Sequence, residues 1–551
     1  MGISRKPRNR RGGLSRRDFL KHASASAAVA TLAACSSSSP RDGGGTPSPD
    51  SPFKHGVASG DPLADRVILW TRITAPAEAS SVSGQVKVYL DPALTQLLGA
   101  MDFGAEAARD WTVKLDFTGL AAGTSYYYQF EALGHTSPIG RTRTAPAGST
   151  DRLRFGVVSC ASYAHGYFNA YRLLAQRADL DAVLHLGDYL YEYGTGEYGD
   201  VRPYQPDHEM VTLADYRTRH AYYKQDPDLM ELHRQFPFIT VWDDHETADN
   251  SWRDGANNHT EGTEGAWVDR KAYGQQAYDE WMPIRYPQAG NVGKIWRRFS
   301  YGELADIFML DTRLYDRDVP DGLPVSATGK EAGRRMLGPE QMQWLKDGLQ
   351  TSTARWKILG QQMVMHQWNL VGAPLAAGGG QQLNGDAWDG YQAERTELFQ
   401  HLSDSGIGNV VVLSGDVHSS WAADLTPDPA NPLAYNPLTG EGSLAVEFVG
   451  TSITSPFAID IPEGQQAMLL TNSHIRYTDW DRKGYLLLDL DANRAQGEFW
   501  YVSTFTEAGA TESFATGYQA LSDANHLEFA AVGSPAEAKP DPAPLAPQVP
   551  A

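Results

Sequence analysis

An α/β domain with a polar site at the ends of its strands, preceded by a small β-sandwich, is the fold class the sequence predicts. Three observations lead there. Residues 53–146 read as short β runs punctuated by Gly and Pro. From residue 151 apolar strands alternate with helical segments, and those strands end in loops carrying Asp, His, Tyr and Cys. At 551 residues with 41% hydrophobic side chains, the chain has room for two or three domains with sizeable cores.

Residues 1–35 read as a targeting device. A basic start (Arg5, Lys6, Arg8, Arg10, Arg11) leads into Ser15-Arg16-Arg17-Asp18-Phe19-Leu20-Lys21 and then an alanine-rich stretch. This resembles a twin-arginine signal peptide, so the twin-arginine translocase is an expected partner and the periplasm or the cell exterior the expected destination. The apolar run 23–34 falls short of the roughly 20 residues that span a bilayer. Leu32-Ala33-Ala34-Cys35 looks like a lipobox, which would lipidate Cys35 and tether the protein to a membrane. Residues 36–52, rich in Ser, Gly and Pro, are expected to form a flexible linker, and the Pro- and Ala-rich stretch 534–551 a disordered tail.

Composition excludes several functions. The balance of 47 basic against 67 acidic residues gives a formal charge of −20, so a nucleic acid is no specific partner, a polyanion being repelled at long range. A small phosphate ester stays compatible where bound cations invert the local field. Cys35 and Cys160 are the only cysteines, which leaves no disulfide framework. A monomer is expected.

The sandwich is read from β runs at 67–71, 85–90, 111–117 and 126–133, of fibronectin-like spacing. The catalytic domain, 151–530, is read from four apolar strands. Residues 155–159 deliver Cys160, 182–186 deliver Gly187-Asp188, 238–242 deliver Asp243-Asp244-His245, and 410–413 deliver Ser414-Gly415-Asp416-Val417-His418. Active sites of α/β sheets lie at such strand ends. Further runs at 444–448, 485–490 and 498–502 would extend a second sheet.

Each of these residues has an ordinary structural explanation when taken alone. Asp after Gly is a common turn or cap residue, an isolated cysteine packs as a small hydrophobe, and Tyr191 or His245 fits a core. Together they specify chemistry. Hydrolysis of a phosphate ester needs a nucleophile stronger than water and screening of the phosphate charge, and two metals about 3.5–4 Å apart supply both. Oxygen, imidazole, thiolate and phenolate donors suit a hard trivalent ion beside a divalent one. Asp188 is the natural bridge, since Tyr191 follows three residues later.

Gly187-Asp188-Tyr189-Leu190-Tyr191, Trp242-Asp243-Asp244-His245-Glu246, Gly415-Asp416-Val417-His418 and the opening His55-Gly56-Val57-Ala58-Ser59-Gly60-Asp61-Pro62 together resemble PhoD-type alkaline phosphatases over roughly residues 53–502. The resemblance implies a calcineurin-like αββα sandwich behind the N-terminal β-sandwich, and hydrolysis of phosphate mono- or diesters by a metal-bound hydroxide without a phosphoenzyme. It implies Fe³⁺ on Cys160, Asp188, Tyr191 and His418, with cysteine where most relatives carry aspartate. It implies Ca²⁺ on Asp188, Asn250, Asp389 and Asp416, with Asp244 and Asp386 as competing ligands. His165 and Arg395 are candidates for phosphate or leaving-group contacts, and His366 for a core or supporting role. A phospholipase D-like phosphodiesterase is the alternative within the family. An inactive surface binding protein would have lost ligands that are present here, an iron–thiolate redox enzyme leaves Asp416 and His418 unexplained, and no Gly-x-Ser-x-Gly elbow supports serine hydrolysis.

Overall fold

Strands buried on both faces read as unbroken apolar runs, and the computed structural model of the chain places those runs at the centre of two facing sheets. It describes residues 50–548 apart from 289, 459, 460 and 462. The expected signal segment, with Cys35, and residues 36–49 of the linker lie outside the described residues. The linker's end at 50–52 is not loose. Ser51 is buried, and Thr74 N donates to Pro52 O at 2.7 Å, because Phe53 behind them is a core residue.

The first sheet has nine strands, in the order Glu512–Leu521, Arg494–Val502, Gly484–Asp491, Arg152–Val158, Ala182–His185, Pro237–Thr240, Val57–Gly60, Arg66–Arg72 and Thr112–Thr118. Arg152–Val158, Ala182–His185 and Pro237–Thr240 run parallel, so their carboxyl ends open on the same side. The second sheet has seven strands: Arg297–Tyr301, Ala305–Met309, Trp356–Gly360, Val410–Ser414, Ala445–Val449, Ser420–Leu425 and Ile475–Asp479. Phe155, Leu184 and Ile239 of the first sheet pack in one core with Ile307, Ile358 and Val411 of the second. Helices Asn169–Ala175, Leu213–Tyr223, Pro227–Gln235 and Trp267–Trp281 cover the outer face of the first sheet through Leu174, Tyr216, Leu229 and Tyr278. Gly338–Thr351 and Gln392–Asp404 cover the second through Leu345 and Leu398. The order is helix, sheet, sheet, helix, as the resemblance implies.

The N-terminal sandwich is present, yet its sequence boundary is not a structural one. One of its sheets consists of Leu97–Glu106, Ser81–Tyr89, Ser125–Ala132 and His135–Thr136, with Gly140–Arg143 beside Ser125–Ala132. The facing strands, Arg66–Arg72 and Thr112–Thr118, are the far edge of the nine-stranded sheet, joined to it through Val57–Gly60, which pairs in parallel with Pro237–Thr240. Gly60 allows this approach, since a Cβ there would lie 2.7 Å from Phe238 O of that strand and 2.2 Å from Pro283 O. Buried Asp61 then takes Nη2 of Arg297 at 2.7 Å and the backbone N–H of Arg285 at 2.6 Å. The opening Gly-Asp-Pro motif therefore fastens sandwich to catalytic domain.

The expected disordered tail is a second correction. Residues 534–548 run across the surface and are fixed along their length. Lys539 N donates to Asp179 Oδ2 at 3.0 Å, and Ala546 N to Gln235 Oε1 at 2.8 Å. Tyr127 of the sandwich reaches Pro544 O at 2.5 Å, and Arg234 reaches Pro547 O at 3.0 Å. A Pro-rich segment cannot form a ladder of its own, but its carbonyls accept from buried side chains such as Arg234.

Candidate metal centre

The strand ends place the site where the two sheets meet. Cys160, Asp188 and Asp243 follow consecutive parallel strands of the first sheet, whereas Asp416 and His418 follow Val410–Ser414 of the second. The chain turns sharply at each of these points. Cys160, Asp188, Asn250, Asp416 and His418 all have left-handed backbone, with φ of 60°, 53°, 49°, 61° and 62°. Such conformations cost about 1–3 kcal/mol each for non-glycine residues and persist at sites that use them. Gly187, at φ 105°, lets the Asp188 loop pass Asp243, whose backbone N would lie 2.5 Å from a Cβ.

Four predicted ligands converge on one point. Donor atoms of Cys160, Asp188 and His418 lie within 4.8 Å of one another, all buried. Tyr191 Oη donates to Asp188 Oδ2 at 2.8 Å and stands 3.1 Å from His418 Nε2. His418 Nδ1 is 2.7 Å from the Pro456 carbonyl, which can only accept, so Nδ1 carries a proton and Nε2 is the nitrogen that faces the centre. Ser455 Oγ supports the Tyr191 phenol at 2.7 Å, and Lys483 Nζ holds the His418 carbonyl at 2.8 Å.

Two further triads adjoin this point, Asp188 with Asp244 and His245, and Asp243 with Asp244 and Asp416, each within 4.8 Å. Asn250 belongs here, since its N–H donates to Asp244 Oδ2 at 2.5 Å. Asp188 Oδ1, Asp243 Oδ2 and Asn250 Oδ1 are buried without a hydrogen-bond partner among the described residues. Bare, inward-turned oxygens beside a thiol, a phenol and an imidazole fit metal ions, hard on one side and thiolate-accepting on the other.

Electrostatics agree with that fit. Burial pushes the Cys160 thiol, the Tyr191 phenol and the Asp188 and Asp243 carboxyls well above their ordinary values, and neighbouring acids add to it. A cation in their midst reverses each shift. Burial alone would lower His245; Asp244 and Glu192 outweigh it and hold the imidazole well above its usual value. Glu246 is raised to about 8 by burial while it accepts the N–H groups of Asp188 at 3.1 Å, Tyr189 at 2.7 Å and Asp243 at 2.8 Å, which ties two ligand loops together.

Some predicted residues stand elsewhere. Asp389 is turned away from the cluster, with Oδ1 on Arg395 Nη1 at 2.8 Å and Oδ2 on Trp368 N at 2.9 Å. Its competitor Asp386 is linked to the cluster through Arg313, at 3.1 Å. Arg395, a candidate for phosphate or leaving-group contact, is buried and committed to Asp389 and the Met365 carbonyl. His366 is a core residue between Glu447 at 2.6 Å and Trp368 Nε1 at 2.9 Å. His165 stands at the half-buried rim, 2.8 Å from Ser162 Oγ and edge-on to Tyr198, which stacks on Tyr191.

Sequence reasoning missed Arg313. Its guanidinium is fully buried, with Nε on Asp243 Oδ1, Nη1 on Asp386 Oδ2 and Nη2 on Asp416 Oδ1 at 2.6 Å. The signal was available, because Ala305–Met309 is a fifth apolar strand and ends in Leu310-Asp311-Thr312-Arg313. Arg317 Nη2, from the same loop, holds Asp386 Oδ1 at 2.7 Å.

A phosphoesterase is the class that this fold and this donor set define, and the chain belongs to the PhoD-like phosphatase family, whose model matches residues 155–499 and whose N-terminal domain model matches residues 36–146. Among individual proteins, it is similar to alkaline phosphatase D of Bacillus subtilis (strain 168), at 36% identity over 484 residues covering 84% of this chain and 79% of that protein. A solved structure of PhoD superposes with a TM-score of 0.80 at 35% identity, covering 89% of this chain and 94% of that one.

Proposed function

We propose that this phosphoesterase uses a ferric ion on Cys160, Asp188, Tyr191 and His418 beside Ca²⁺ on Asp188, Asn250, Asp416 and the neighbouring Asp243 and Asp244. Asp386 serves the calcium side in preference to Asp389, whose oxygens are taken by Arg395 and Trp368. When bound, the metals supply positive charge for the phosphate and acidify a water at the site. The chain's own contribution is preorganisation. Glu246 fixes the loops of Asp188 and Asp243, and Pro456 sets the tautomer of His418. At the rim, burial lowers His165 to about 4, so its imidazole is neutral at the pH of the reaction and offers a hydrogen bond to the leaving group. The substrate is a phosphate mono- or diester of the outer compartment. Arg16-Arg17 would direct export through the twin-arginine route, and a lipid on Cys35 would retain the enzyme at the membrane.

The observation that carries this reading is the meeting of Cys160, Asp188, Tyr191 and His418 at one buried point next to unpartnered oxygens. Hydrolysis of nitrophenyl phosphate, bis-nitrophenyl phosphate and phosphatidylcholine, measured side by side, tests it. Turnover of the nitrophenyl esters, abolished by a calcium chelator and restored by added Ca²⁺, is the expected result. Turnover indifferent to chelation, or zinc as the stoichiometric metal, contradicts the metal assignment.

A further inference from the structure

The carboxylates on the calcium side come from three separate segments of the chain. Asp243 follows a strand of the nine-stranded sheet; Asp416 follows a strand of the seven-stranded one. Asp386 belongs to neither sheet and lies in the segment before helix Gln392–Asp404. Like charges this close repel, and burial strengthens the repulsion. Arg313 touches all three at once, with one nitrogen for each.

The loop that presents Arg313 is itself fixed. Asp311 Oδ1 accepts the N–H groups of Arg313 and Leu314, both at 2.9 Å, and Gln362 Oε1 accepts Thr312 N at 3.2 Å. Gln362 also takes the Gly415 N–H on its carbonyl and donates Nε2 to Trp242 O at 2.7 Å, so it grips the residues just before Asp416 and Asp243. Arg317 extends the brace from Asp386 to the carbonyl of Ser251, next to Asn250, at 2.9 Å.

A guanidinium here could act in two opposite ways, as a brace behind the ligands or as a competitor for the metal. The oxygens decide between them. Arg313 uses Oδ1 of Asp243 and leaves Oδ2 of the same carboxylate bare, and Asn250 Oδ1 is likewise bare among the described residues. It therefore occupies one side of the carboxylate and leaves the other for a cation, the arrangement in which outer partners orient metal ligands. A planar fork with several donors in fixed directions can span three carboxylates, which a lysine ammonium cannot.

We infer that Arg313 is a positioning residue for calcium, a brace across the two sheets that sets Asp243, Asp386 and Asp416 in register for the ion. This rests on the reading of the site as an iron and calcium centre. The test uses the purified iron-loaded enzyme, freed of divalent ions by a chelator, with Ca²⁺ titrated calorimetrically into wild type, Arg313→Met and Arg313→Lys. Arg313→Met should weaken Ca²⁺ binding at least about tenfold, the range usual for partners that orient ligands. Arg313→Lys should fall between Met and wild type, and the visible absorption of the iron side should be unchanged in both. Equal or tighter Ca²⁺ binding by Arg313→Met overturns the proposal and leaves the metal assignment standing. Should Arg313→Met fail to fold, Arg313→Lys is read in the same titration, and wild-type affinity there overturns it equally. A wild type that takes up no Ca²⁺ removes the calcium assignment itself, and with it this role for Arg313.

Discussion

The two halves of the centre are built differently. On one side, Cys160, Asp188, Tyr191 and His418 come from three strand-end loops of the two sheets, and side chains are oriented singly, Tyr191 by Ser455 Oγ and His418 by the Pro456 carbonyl. On the other, Asp243, Asp386 and Asp416 are drawn from three distant segments and joined by one buried arginine. A ring of carboxylates needs a cation as part of the protein to gather it.

The largest effect expected from this contrast is at Cys160, which separates the first half from an all-oxygen site. Cys160→Ser replaces an ionisable soft ligand with a hydroxyl that stays protonated. Iron should be lost, and activity should fall at least about a hundredfold, the upper range for disturbed ligation. Cys160→Asp, which restores a charge, should recover part of both. Iron content and turnover of nitrophenyl phosphate decide it; a Cys160→Ser enzyme with full iron and full turnover breaks the account of this half.

The second half is sharpened by comparing its two competing aspartates. Asp386→Asn should weaken Ca²⁺ binding about 10- to 100-fold, because Arg313 and Arg317 both anchor there. Asp389→Asn leaves Arg395 buried without its charge partner and should lower stability by about 3–5 kcal/mol, with Ca²⁺ affinity unchanged. Calcium titration and thermal melting of the pair separate ligand support from core support. The reverse outcome would restore Asp389 to the site.

A smaller effect is expected far from the centre. Removing residues 534–551 deletes the hydrogen bonds that Tyr127 and Arg234 donate and that Gln235 and Asp179 accept, each worth about 1 kcal/mol net. Tm should fall by several degrees with ambient activity preserved. An unchanged Tm would show that the strap contributes nothing to stability.

The smallest effect is a graded dependence on pH. Burial lowers His55, His185 and His474 to about 3 and His165 to about 4, so they are neutral in the folded protein. The unfolded chain binds protons at these residues first, near their ordinary value of about 6.5. Their contribution to stability is complete above about 6.5 and is lost progressively as pH falls toward 4 and below. Thermal melts across that range should decline steadily with acid; a flat profile would contradict the neutral, buried assignment.

Much of this was legible in the sequence, for a physical reason. Strands buried on both faces must be apolar, so Cys160, Asp188, Asp243 and Asp416 stand out as abrupt polar stops at their ends. Tyr191 and His418 join them as candidates in the same loops, and the grouping of Cys160, Asp188, Tyr191 and His418 as one set is what the resemblance to PhoD-type phosphatases implies. The choice between Asp386 and Asp389 was hidden, because both are buried and each is paired with an arginine, Asp386 with the distant Arg313 and Asp389 with the nearby Arg395. The fusion of the sandwich with the catalytic sheet was hidden too, since parallel pairing of Val57–Gly60 with Pro237–Thr240 leaves no local periodic mark. The tail read as disordered because its order comes wholly from partners such as Arg234 and Tyr127.

The central claim, a thiolate- and phenolate-bound iron beside a separate oxygen-bound calcium, is tested most directly by the visible spectrum of the purified enzyme taken together with its elemental analysis. Thiolate and phenolate donors on one ferric ion give ligand-to-metal charge transfer, so the protein should be coloured and contain iron and calcium. The colour should survive removal of calcium by a chelator while activity is lost. A colourless protein with full activity, or one whose stoichiometric metal is zinc, would contradict the account.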